Sequence, residues 1–154
     1  MFKSFVRFVI SSLIFLLSTT VFISAENIVV YFDGDVYIRN DGEEYYADFG
    51  AVLSPGDIIE TEIDSTAIIK LENGNTLKLK ENTIIQLDDV SPGTKVSLQR
   101  GGLFSKVNRF AGRSFTVRTQ SVIAGVRGTE FFMAYGAVVE EDADVWLCVN
   151  EGTV

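Results

Sequence analysis

The sequence predicts an all-β protein: a short-strand β-solenoid or β-roll-like domain, with a β-sandwich as the alternative, behind an N-terminal signal helix. Three observations carry this. Apolar pairs with a single spacer recur at an eight-residue step, Ile69/Leu71, Leu77/Leu79 and Ile85/Leu87. Such a spacing sets both members of a pair on one face of a strand. Turn-forming Gly, Asn and Asp clusters separate runs rich in Val, Ile, Phe and Tyr, and the chain has 13 Gly but only two Pro. After residue 25 no segment shows a convincing helical pattern.

Residues 1–25 read as a secretory signal peptide. Lys3 and Arg7 precede the apolar run 8–17, and Ser18, Thr19 and Thr20 lead to Ala25 as the last residue removed. An uncleaved anchor is the alternative, because the uncharged run 8–25 is at the lower edge of a membrane span. Either way residues 26–154 are expected outside the cytoplasm, in the periplasm or the extracellular space, touching a membrane only through an uncleaved signal.

The body then reads as strands in series. Residues 28–32 are β-branched and aromatic, Asp33-Gly34-Asp35 turns the chain, and 36–39 continues extended. Asn40-Asp41-Gly42 is a hairpin turn whose residues tolerate φ > 0, and 43–49 returns with Tyr45, Tyr46 and Phe49. Ser54-Pro55-Gly56-Asp57 turns again into 58–61. The eight-residue step follows, as a tight meander or a narrow solenoid. Its odd positions face the core, while Lys70, Lys78, Lys80 and Gln86 face water, the lysines guarding an exposed sheet edge. After Ser91-Pro92-Gly93 come strands at 96–100, 103–107, 115–119, 122–124, 131–135 and 145–149. Gly125 and Gly128 mark a bend or a close approach of the backbone. The acidic stretch 136–144 reads as a solvated loop. Residues 149–154 read as strand, Gly turn and the start of another strand. The domain is therefore expected to be truncated at its C-terminal end and to self-associate through that edge.

Charge is segregated. The formal net charge is −8; residues 26–89 hold 15 acids against four bases, 90–129 hold seven bases and no acid, and 130–154 hold six acids and no base. The acidic excess argues against nucleic acid as a partner. The basic middle has two readings. It pairs internally with its acidic flanks, or Arg100, Lys106, Arg109, Arg113 and Arg127 form a patch for an anionic partner such as a phosphate polymer or an acidic glycan or protein.

Catalytic readings are weak, and the chain is expected not to be an enzyme. It has no His and a single Cys, Cys148, which excludes a Cys-rich zinc site, an intrachain disulfide and a His-activated nucleophile. Asp88/Asp89 or Asp33/Asp35 could serve glycoside hydrolysis only in principle. Asp33-Gly34-Asp35 starts like a calcium loop, but Tyr37 stands where an oxygen ligand belongs. No catalytic, cofactor-binding or metal-ligating residue is assigned, and no cofactor. Arg127-Gly128-Thr129 reads as a turn that Thr129 caps, with Arg127 paired to an acid on a neighbouring strand.

Several motifs in series give a resemblance. They are Pro55-Gly56-Asp57 running into Thr61, the strand pair 67–80 around Asn73-Gly74-Asn75, Gln99-Arg100-Gly101-Gly102-Leu103-Phe104, Phe115-Thr116-Val117-Arg118-Thr119 and Val126-Arg127-Gly128-Thr129-Glu130-Phe131. Over residues 34–154 the chain resembles a FecR-type periplasmic domain. Gln120 replaces a Pro that the family often carries. Only seven residues precede the apolar run, so the resemblance is to the outer domain without the cytoplasmic sigma-factor-binding region. It implies an exported, non-catalytic domain that binds an envelope protein or polysaccharide. The alternative is a structural spacer that assembles larger envelope proteins through its sheet edges.

Overall fold

The computed structural model describes residues 26–90, 93–108, 114–136 and 145–151. The signal segment, the basic residues Arg109 and Arg113, the acidic loop 137–144 and the turn at Gly152 lie outside the described residues. Thirteen strands and no helix are found in the described part. In chain order they are β1 (Asn27–Asp33), β2 (Val36–Asn40), β3 (Glu43–Tyr46), β4 (Val52–Leu53), β5 (Ile58–Thr61), β6 (Thr66–Lys70) and β7 (Thr76–Leu79). There follow β8 (Thr83–Asp89), β9 (Thr94–Lys106), β10 (Phe115–Arg118), β11 (Ile123–Val126), β12 (Glu130–Tyr135) and β13 (Val145–Glu151).

They form one curled, open sheet, a half-barrel with two wings that share β9. The first wing runs β4-β1-β6-β7-β9-β12-β13 and the second β3-β2-β5-β8-β9-β10-β11. The chain crosses between the wings at sharp corners. At the β1–β2 corner Gly34 has φ 77°, and a Cβ there would collide with Ser65. The second half of β9 pairs with β7 and β12 and the first half with β8 and β10; only β9–β10 is parallel.

This topology corrects the solenoid reading. The coils of a solenoid stack in parallel, whereas β6–β7 is an antiparallel hairpin and β7 turns a corner into β8 on the other wing. One hairpin and one corner produce the same eight-residue step. The predicted strands 96–100 and 103–107 are a single strand, because Gly101 (φ 94°) lets β9 bend without breaking. The lysines do not guard an edge: Lys70 and Lys78 are exposed on the face of β6 and β7, which are both paired on two sides. Gly125 does not bend the chain; it lies inside β11 with open space around it. Gly128 does turn it, at φ 63°.

The faces fall as the alternation requires. Ile69, Leu71, Leu77, Leu79, Ile85, Leu87, Val96, Leu98, Phe115, Val117 and Phe131 are all buried in one cluster that draws on both wings. Phe115 of the second wing meets Phe131 of the first edge-to-face, ring centroids 6.1 Å apart. Each large apolar side chain so buried contributes roughly 1.5–3 kcal/mol. With the core facing inward, the outer face of the sheet is left to polar and charged side chains such as Lys70, Lys78, Glu60 and Arg100.

Candidate functional site

On the outer face of the second wing the strict alternation fails twice. Between β8 and β9, Ile84 pairs with Arg100 but Ile85 pairs with Leu98, so Gln99 is an extra residue. Leu87 pairs with Val96 and Asp89 with Lys95, so Asp88 is a second one. A bulge of this kind lets two consecutive side chains escape the core. Gln99 and Arg100 are both exposed, and Asp88 and Asp89 are both half-buried, where alternation would have sent one of each pair inward.

Parallel pairing of β10 with β9 then sets Arg118 beside Ser97. The Ser97 hydroxyl donates to Asp88 Oδ2 at 2.6 Å and accepts from Arg118 Nε at 2.6 Å. Arg118 Nε lies 3.1 Å from Asp88 Oδ2, and its Nη2 donates to Asp88 Oδ1 at 3.4 Å. This knot is the floor of a cleft of about 480 Å³ between β8, β9 and β10, walled by Gln86, Gln99, Thr119, Gln120 and Tyr135. The Tyr135 ring packs on the core from β12, while its hydroxyl reaches across to donate to Gln120 Oε1 at 2.8 Å. A second hollow of about 460 Å³, lined by Asp89, Lys95, Thr116 and Ile123, lies on the other side of the knot.

Further along the same face, Arg39 bonds Glu44 at 2.6 Å and Glu60 at 3.2 Å, and Arg100 reaches Glu60 at 3.7 Å. The Tyr37 and Tyr46 rings pack at a tilt of 37° with centroids 4.7 Å apart, and Tyr37 donates to the Tyr46 hydroxyl at 3.1 Å. That bond, with some burial, pushes the Tyr37 hydroxyl up to about 12.

The sequence-predicted patch residues fall in different places. Arg100 sits at the bend of β9 against Glu60, while Lys106 ends β9 on the other wing against Glu130 at 2.5 Å. Arg127 is exposed in the turn before β12, with no ion pair among the described residues. Of the remaining bases in the segment, Lys95 faces Asp89 at 3.8 Å and Arg118 holds Asp88. Thr129 caps its turn as expected, its hydroxyl donating to Arg127 O at 3.2 Å, but the acid expected beside Arg127 is not found among the described residues. Asp88 and Asp89, considered as a carboxylate pair, are each tied to a base rather than to one another. Among the described residues no cluster of acidic or Cys side chains could hold a metal ion.

The sequence assigns none of the cleft residues Gln86, Ser97, Gln99, Arg118 and Tyr135 to a site, although it places Gln86 facing water, and Gln99 and Arg118 lie in motifs of the family resemblance. Their one local signal is the doublet of polar residues, Asp88-Asp89 and Gln99-Arg100, that ends each alternating run.

Fold and face together define a half-barrel β domain with a polar cleft on one outer wing. The FecR protein family matches residues 57–154, well over half of the chain, and the chain belongs to that family. The matched stretch begins just before β5 and holds every residue of the cleft. No similar protein is found among the curated proteins and no similar structure among the solved ones.

Proposed function

We propose that the chain is an exported, non-catalytic recognition domain of the periplasm or cell surface, which holds an envelope protein or polymer on the outer face of its second wing. The observation that carries this reading is the pair of bulges at Asp88 and Gln99, which present consecutive polar side chains beside the Ser97–Arg118 cleft. Membership of the FecR family supports it. The chemistry also favours binding over turnover: the best-placed carboxylate, Asp88, is neutralised by Arg118 and Ser97, and no His is available as a base. Arg127, exposed in its turn, is the described member of the basic segment best placed to meet an anionic partner.

Capture of envelope material by the tagged exported protein tests the reading. Gln99→Ala should weaken capture, while Lys78→Ala, on the outer face of the first wing, should not. Equal capture by both variants would place the working face elsewhere.

A second reading, a spacer that assembles through sheet edges, has its own observation. Among the described strands β13 pairs only with β12, and its Leu147 and Val149 lie opposite the fully buried Met133 and Phe131 yet are 40% and 41% exposed. A free apolar edge is a template for another strand. Sedimentation of the exported protein decides this: concentration-dependent association that Leu147→Lys abolishes supports the spacer, and a monomer at all concentrations removes it.

A further inference from the structure

We propose that the cleft between β8, β9 and β10 is a glycan-binding groove that takes a neutral, hydroxyl-rich polysaccharide chain. The inference rests on the recognition reading above and gives its ligand a chemical class.

Charge is the first argument. Among the described residues Arg118 is the one ionised side chain in the cleft lining, and Asp88 pairs with it at 3.1 Å. The groove therefore offers no net charge to a polyanion, in a chain whose overall charge is −8. Among the described lining residues a cationic ligand finds no free carboxylate either.

Hydrogen-bonding capacity is the second. Three primary amides, Gln86, Gln99 and Gln120, line the groove together with Thr119 and Tyr135. An amide presents a donor and an acceptor side by side, as neighbouring sugar hydroxyls do. Part of that capacity is used internally, and the rest is left over. The Gln86 amide nitrogen donates to Gly56 O at 3.3 Å, which leaves its oxygen as an acceptor. Gln120 Oε1 accepts from Tyr135, which leaves its NH₂ as a double donor. Gln99, lifted out by its bulge, keeps both functions among the described residues.

Topology is the third. β8 and β10 are each paired on both sides, and β9 is so paired from Thr94 to Ser97, so along that length an extended peptide cannot add as a strand. A ligand on this face is read by side chains alone, which suits a sugar chain better than a peptide backbone. Tyr135 supplies a ring at one end of the groove. The tilted Tyr37–Tyr46 pair supplies a second aromatic surface on the same face. It lies three strand spacings from β9, roughly 14 Å, along the register Tyr37–Glu60–Ile84–Arg100. A chain of several sugars reaches both platforms and a single sugar does not.

The test is isothermal titration of the full exported protein with neutral hexasaccharides of the chito-, malto-, xylo- and manno- series, their trisaccharides, and polygalacturonate as the anionic probe. The expected result is binding of at least one neutral hexasaccharide, more tightly than its trisaccharide, with little dependence on salt. Gln99→Ala and Gln120→Ala, both at exposed positions, should each weaken it by about fivefold with unchanged circular dichroism, and Lys78→Ala should leave it unaltered. Three results overturn the proposal: no neutral sugar bound at millimolar concentration, binding unmoved by both Gln substitutions, or a salt-sensitive preference for polygalacturonate. If no neutral sugar binds but Gln99→Ala still weakens capture of envelope material, the glycan assignment fails and the recognition reading stands. If Gln99→Ala leaves capture unaltered as well, both fail.

Discussion

The Thr83 hydroxyl accepts a hydrogen bond from the Gly102 N–H at 2.9 Å, where β9 passes from one wing to the other. Thr83 is buried, and its own N–H donates to Thr61 Oγ1 at 3.1 Å, so two strands and the bend share one small polar network. Thr83→Val keeps the shape and removes the acceptor. It should cost about 1–3 kcal/mol, the penalty for a buried N–H left without a partner. Urea unfolding measures it, and a loss below about 0.5 kcal/mol would show that the hydroxyl does not hold the bend.

Gly101, one residue earlier, has φ 94°, and a Cβ on it would run into the Thr83 side chain and the backbone of Asn82 and Thr83. Gly101→Ala should therefore destabilise by at least about 3 kcal/mol. Gly125→Ala is the matched control. Gly125 meets nothing within 4 Å and has no positive φ, so the change should stay within roughly 0.5 kcal/mol. Similar midpoints for the two variants in thermal unfolding would contradict the bend.

Ser105 stands on the inner face of β9 between Leu77 and Phe131, fully buried, and its Oγ has no hydrogen-bond partner among the described residues. A hydroxyl in that position has lost its water for nothing. Ser105→Ala should be neutral or stabilising by up to about 1 kcal/mol, which is unusual for a core substitution. A clear loss in chemical denaturation would mean that the hydroxyl has a partner after all.

Lys106 hydrogen-bonds Glu130 and, against a smaller opposing effect of burial, holds that carboxyl below its ordinary value. A carboxyl lowered by folding stabilises the fold above its unfolded value near ~4.3 and loses that contribution as pH falls through the lowered folded value. The melting difference between the wild type and Glu130→Gln should therefore be largest at neutral pH and vanish in acid. A difference that grows on acidification would reverse the sign and refute the pairing.

The core was legible because alternation fixes which side of a strand is wet. Ile69, Leu71, Leu77, Leu79, Ile85 and Leu87, with Val96, Leu98, Phe115, Val117 and Phe131, lie inside, and Lys70, Lys78 and Lys80 lie outside. The connectivity was not legible. A hairpin such as β6–β7 and a corner such as β7–β8 both turn on short polar segments with Glu and Asn and both fit the eight-residue step, and only tertiary pairing separates them. The cleft was hidden for a related reason. Asp88 and Arg118 lie thirty residues apart and meet only because β10 pairs in parallel with β9. A bulge at Gln99 leaves little in the sequence beyond one polar residue too many. The basic segment left two readings open, internal pairing and a patch, because bases follow one another along the chain between acidic flanks. In space, Arg100 and Lys106 stand on different wings, each against its own glutamate.

The central claim is that the outer face around the Ser97–Arg118 knot is where the protein meets its partner. Amide chemical shifts of the isotope-labelled exported protein, recorded while solubilised envelope fragments are added, test it most directly. The shifts that move should cluster at Gln86, Ser97, Gln99, Arg118 and Gln120, while β13 and the outer face of β6 and β7 stay still. Movement confined to β13, or spread evenly over both wings, would contradict it.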